Sequence, residues 1–145
     1  MMRSWSPVLV GMVALLTNWP GPMPRSIPER ARRAVLEEIV TQVLNDPTLE
    51  AYLHPEVAGR VPLVMSDHLL LRGFTLTKFG APVVVIRDAE AGRRPHIRLE
   101  ALDLRGNRAT VELTYEIEGL HGRFVVDHDK KDGNWRVLEA HVWEQ

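Results

Sequence analysis

Residues 106–145 read GNRATVELTYEIEGLHGRFVVDHDKKDGNWRVLEAHVWEQ, and apolar and polar residues alternate along nearly all of them. A period of two marks a strand with one face buried and the other in water. The beat breaks at Gly106–Asn107, at the GLHG run of 119–122 and at the DKKDG run of 129–133, which have the lengths and residues of hairpin connections. Carried back to Pro95, the pattern gives four strands, near 96–104, 108–118, 122–128 and 134–144, in an antiparallel meander.

Turn length fixes register, and register decides which side chains share a face. A two-residue turn at Gly106–Asn107 sets Leu104 opposite Ala109 and Arg98 opposite Tyr115. A second at Leu120–His121 sets Glu118 opposite Arg123, Ile117 opposite Phe124 and Tyr115 opposite Val126, and leaves His121 exposed in the turn. A loop through Lys130–Gly133 sets His128 opposite Trp135, Val126 opposite Val137 and Phe124 opposite Glu139. The charge pairs Glu118–Arg123 and Asp127–Arg136 then fall on the outer face and the apolar pairs inside.

In that register the inner face is apolar toward one end, through Leu102, Leu104, Ala109, Val111, Leu113, Trp135 and Val137. Toward the other end it carries His96, Arg98, Glu100, Tyr115, Phe124, Glu139, His141 and Trp143. Burying an unpaired charge is expensive, so these eight residues are the candidate lining of an open ligand pocket. The alternative is that Glu139 and His141 run past the core into solvent, while Arg98 and Glu100 pair with each other or sit at a bulge. The outer face would present Ile97, Leu99, Val125, Leu138, Ala140 and Val142 inside a charged rim, a patch suited to a homodimer.

Upstream, SIPERARRAVLEEIVTQVLNDP (26–47) is an amphipathic helix. Ser26 and Glu29 have capping-box spacing, and Ala31, Val35, Leu36, Ile39, Val40, Val43 and Leu44 form one stripe. Asp46–Pro47 ends it and caps a short helix bearing Leu49, Tyr52 and Leu53, which His54–Pro55 stops. Val61–Met65 and Val83–Ile86 read as short strands, and Ser66 caps a helical turn through DHLLL (67–71); the pattern over 61–90 is otherwise weak. Helices followed by an antiparallel sheet make the class α+β, one domain over 26–145.

The totals narrow the function. Net charge is −1 among 145 residues, and fifteen Arg and three Lys are scattered rather than blocked, which excludes a nucleic-acid footprint. The chain contains no Cys, which removes disulfides, thiolate metal sites and a Cys nucleophile. Residues 1–25 read as a signal peptide and linker: Arg3, an apolar run from Val8 to Leu16, then the breaker NWPGPMP. The expectation is export to a periplasm or the exterior, with membrane contact only through this segment if it stays uncleaved. The apolar run is too short to span a bilayer, which takes about twenty residues.

The helix SIPERARRAVLEEIVTQVL together with GNRATVELTYEIEG and GRFVVDHDKKDGNWRVLEAHVWE resembles the NTF2-like (cystatin-like, ketosteroid-isomerase-type) superfamily over residues 26–145. The resemblance implies N-terminal helices packed on a strongly curved antiparallel sheet, a cone with a pocket, and frequent dimers. Members include isomerases, dehydratases and non-catalytic binders, so fold alone assigns no chemistry. The isomerases' Asp base and Tyr–acid oxyanion donors do not map here, since Tyr115 has no Asp at its end of the face. The His96/Glu100 and Glu139/His141 pairs lack a metal-ligand motif, so no metal or cofactor is expected. The expected function is binding of a small molecule or peptide in the cone. Interaction through the outer face comes second, and an enzyme with Glu139 or His141 as general base comes third.

Overall fold

The computed structural model describes residues 28–66, 71, 73–116 and 118–145; residues 1–25, expected as a signal segment, Ser26 and the DHLL run of 67–70 lie outside the described residues. Helix α1 spans Glu29–Leu44 and buries all seven residues of the apolar stripe. Its N-cap is Pro28, with no side-chain cap, so Glu29 opens the helix without the capping box. Helix α2, Pro47–Glu50, starts where Asp46 accepts the Thr48 amide at 2.9 Å. It is shorter than the sequence pattern suggests, and Tyr52 and Leu53 follow in a turn.

Strands β1 (Val64–Ser66), β2 (Thr77–Lys78), β3 (Ala81–Pro82) and β4 (Val84–Ile86) and helix α3 (Asp88–Ala91) fill the weakly patterned middle. The meander follows as β5 (His96–Arg105), β6 (Arg108–Glu116), β7 (Leu120–His128) and β8 (Trp135–Glu144). One six-stranded sheet runs β4-β1-β5-β6-β7-β8, with β1 parallel to both neighbours, and β2–β3 form a separate hairpin. The large sheet is curved and unclosed, and the class is α+β. Ser66 ends β1, and the turn expected after it through 67–70 lies outside the described residues.

The inner face is a packed core. Tyr115, Phe124 and Trp135 are 0–1 % exposed and lie in one cluster with Val35, Ile39 and Val43 of α1. Lys78 is also buried, donating to Glu50 at 2.9 Å and Asn45 at 3.0 Å, which ties the small hairpin to the helices. A buried ammonium is tolerable only with such partners.

Three features of the register depart from the sequence reading. The β6–β7 connection is not at Leu120–His121: Tyr115 lies opposite Leu120, and Gly119 takes the positive φ of 64° in the turn. Leu120 is 1 % exposed, and a turn position would put it in water. Arg123 therefore faces Glu112 rather than Glu118, and His121 lies within β7. The slip is an even number of residues, so the faces of β6 and β7 are unchanged.

The other two departures do change faces. Between Leu99 and Ala101 the register of β5 shifts by one, leaving Glu100 as an extra residue. Between Val125 and Val126 the partner strand β8 has an extra Leu138. Each bulge inverts the alternation of its strand beyond that point. Ile97 and Leu99 turn inward, 0 % and 3 % exposed, and Ala140 and Val142 pack against the same core. Arg98, Glu139, His141 and Trp143 consequently turn outward. The six-residue outer patch is divided: only Val125 and Leu138 of its members lie outside, with Leu138 56 % exposed.

Phe124 folds over Gly122, where an added Cβ would stand 2.7 Å from Phe124 Cε2 and 3.2 Å from Leu113 Cδ1. Neither neighbour has room to retreat in the buried core. Gly122→Ala should cost about 1–3 kcal/mol by overpacking, measured by urea unfolding; an unchanged midpoint would show that the Phe124 ring does not lie there.

Candidate functional site

The eight pocket candidates divide three ways. Tyr115 and Phe124 are core residues of the inner face. His96, 4 % exposed, opens β5 with Nδ1 2.7 Å from the Arg94 carbonyl oxygen. Beside a carbonyl, Nδ1 is the donor, and buried Nε2 has no hydrogen-bond partner among the described residues. The remaining five, Arg98, Glu100, Glu139, His141 and Trp143, belong to the outer face or its bulge.

Register arranges that face in rows across β5–β8. The first row is Arg98, Thr114, His121 and Trp143; the second is Ala101, Glu112, Arg123 and His141; the third is Asp103, Thr110, Val125 and Glu139. Arg98 and Glu139 are thus three strand spacings apart across the sheet, about 14 Å, and two rows apart along it, and do not converge. Arg98 instead binds Asp88 at 3.0 Å and approaches Glu116 at 3.4 Å.

Rings gather where the first two rows meet β8. His121 stacks on Trp143, centroids 5.6 Å apart and planes 16° apart, and His141 lies against Trp143 at 5.0 Å. Trp143 is 39 % exposed, so this is a ring cluster open to solvent. Beside it is a hollow of about 200 Å³ lined by Glu100, Glu112, Thr114, His121 and Trp143, floored by Leu113 and Gly122. The bulge presents Glu100 to this hollow, and Thr114 Oγ1 donates to its carboxylate at 3.0 Å. Glu112 is 3.8 Å from Arg123, a loose pair that leaves its charge available. A second depression of about 370 Å³ holds Arg123, Val125, Glu139, Ala140 and His141.

Two carboxylates beside a Trp face suit a cation, which gains both charge attraction and the ring quadrupole. Among the described residues, no group of three or more His, Asp or Glu side chains is placed to hold a metal ion. The sequence reading singled out Glu100, His141 and Trp143 of this site but missed Glu112, Thr114 and His121. Its misplaced turn removed His121 from the sheet. Glu112 and Thr114 were legible as outward residues of β6, and the two bulges bring Glu100, His141 and Trp143 to them.

The inner end of the sheet is closed by a different cluster. Arg60 Nη1 donates to the Tyr115 hydroxyl at 2.8 Å, pairs with the Glu118 carboxylate, and lies 5.4 Å from the Tyr115 ring centroid. Hydrogen bonds to Glu118 and then Tyr115 raise the guanidinium above the ordinary Arg pKa. Arg60→Ala strands a buried hydroxyl and should cost about 1–3 kcal/mol. Adding Tyr115→Phe should recover part of that loss in the same denaturation assay. Additive losses would contradict the coupling.

Comparison of the chain with family models, with curated proteins and with solved structures finds no match.

Proposed function

We propose that this chain is a non-catalytic binding module that takes a cationic side chain of a peptide or protein partner on its outer sheet face. The observation that carries this reading is the hollow in which Glu100 and Glu112 stand beside the stacked rings of His121 and Trp143. A guanidinium fits it best, because its N–H groups reach carboxylates in a fixed fork while the rings of His121 and Trp143 wall the hollow. The NTF2-like build and export belong to the same proposal. The long helix on a curved sheet supports the first, and the Arg3-led apolar run supports the second. In an NTF2-like frame the ligand would lie outside the cone, since Tyr115 and Phe124 occupy the inner face as core.

The test is calorimetric titration with the peptide acetyl-Gly-Arg-Gly-amide, and with citrulline replacing arginine as the uncharged control. The arginine peptide should bind and the citrulline peptide should not. Glu100→Gln with Glu112→Gln should weaken binding by about tenfold or more, and Trp143→Ala should weaken it further. Equal binding of the two peptides, or no loss in these variants, would contradict the reading.

A further inference from the structure

Strand β8 ends the sheet order, and among the described residues no strand pairs beyond it. Its two halves differ. At the start, the Trp135 amide donates to Glu38 Oε1 of α1 at 3.3 Å, so the helix engages that end. Past the Leu138 bulge the strand is regular: residues 139–144 pair one-to-one with β7, and the Gln145 amide donates to the Gly119 carbonyl at 3.0 Å.

That last bond sets the phase of the edge. Along an antiparallel strand, alternate residues direct both backbone groups to the same side. Gln145, Trp143, His141 and Glu139 therefore direct theirs to β7, while Ala140, Val142 and Glu144 direct theirs to the open edge. The strand WRVLEAHVWE contains no Pro and no Lys, the residues that commonly blunt such an edge.

We propose that this edge pairs antiparallel with β8 of a second copy of the chain, about a two-fold axis at Val142. The regular segment 139–145 is centred on Val142. In that register Ala140 meets Glu144 of the second copy, Val142 meets its own counterpart, and Glu144 meets Ala140. All three outward-facing residues thus exchange backbone hydrogen bonds with outward-facing residues. A slide by two residues in either direction loses one of these pairs, and in one direction it runs into the Leu138 bulge.

Side chains favour the same register. His141 and Trp143 of the second copy stand opposite each other across the junction, in positions where Cα atoms approach to about 4.5 Å. Each copy already packs His141 and His121 on Trp143, so the pairing joins two ring clusters into one row. A slide that placed His141 opposite itself would set two imidazoles against each other and Glu139 against Trp143. The second copy also adds His141 to the rim of the first copy's hollow. The pairing goes beyond the binding reading and does not depend on which ligand that hollow takes.

Light scattering of the full chain at tens of micromolar should report a dimer. Val142→Pro removes an outward amide without touching the β7 ladder, and should give a monomer with unchanged circular dichroism. The chain has no Cys of its own. Val142→Cys should therefore form a disulfide-linked dimer on mild oxidation, because opposed Cα atoms about 5.5 Å apart fit a disulfide. Glu144→Cys should not, since Ala140 faces it across the axis. A monomeric full chain overturns the pairing, whether the edge is bare or covered by residues 1–27. A dimer that survives Val142→Pro, with Val142→Cys uncrosslinked, also overturns it by placing the contact elsewhere. Arginine-peptide binding by an unsubstituted full chain that is monomeric would sink the pairing and leave the outer-face reading standing.

Discussion

Backbone pairing in the meander competes with the need to keep charge out of the core, and two looped-out residues reconcile them. A strand cannot change which side chains face inward without gaining or losing a residue in the ladder. Glu100 in β5 and Leu138 in β8 are those residues. Because they leave the ladder, Ile97 and Leu99 on one strand and Ala140 and Val142 on another meet the helix side, and the apolar face is continuous to its end. Bulges also bend and twist the strands that carry them, which accords with the curvature of the sheet.

The same two residues create the outer site. Without the bulge in β8, Glu139, His141 and Trp143 would face the core, where a carboxylate and two unpaired rings with polar atoms would be costly. With it, they join Thr114, Glu112, Arg123 and His121 on the wet face in ordered rows. The bulge in β5 places Glu100 at the edge of the first row, where Thr114 holds its carboxylate. The placement of Glu100 beside Glu112, and of His141 and Trp143 beside His121, thus follows from one local irregularity repeated on two strands.

Much of the fold was legible from periodicity. The α1 stripe, the four meander strands, the Gly106–Asn107 turn and the His128–Trp135 pairing follow from patterns that local physics enforces. Strands β1 and β4 were less so: each has three residues, and their parallel pairing depends on β5, far along the chain. The inversion at Glu139 and His141 was visible as an anomaly, polar residues on an apolar beat. A strict period of two turns that anomaly into a buried pocket. The other resolution, an inserted residue, leaves no mark in composition, because exposed Leu138 reads as one more member of an outer apolar patch. Glu100 carried the clearer hint, a charge directly following Leu99 on a face otherwise apolar.

The inversion can be read without perturbing the chain, by Hα–Hα nuclear Overhauser contacts between β7 and β8. Since the Gln145 amide bonds to Gly119, the pairs Gly122–Val142 and Phe124–Ala140 are the non-hydrogen-bonded ones, in which Cα atoms lie about 4.5 Å apart. Strong contacts for both pairs are the predicted result. A strong contact from Phe124 to Glu139 instead would mean an unbulged strand with Glu139 and His141 facing the core, and would contradict the account.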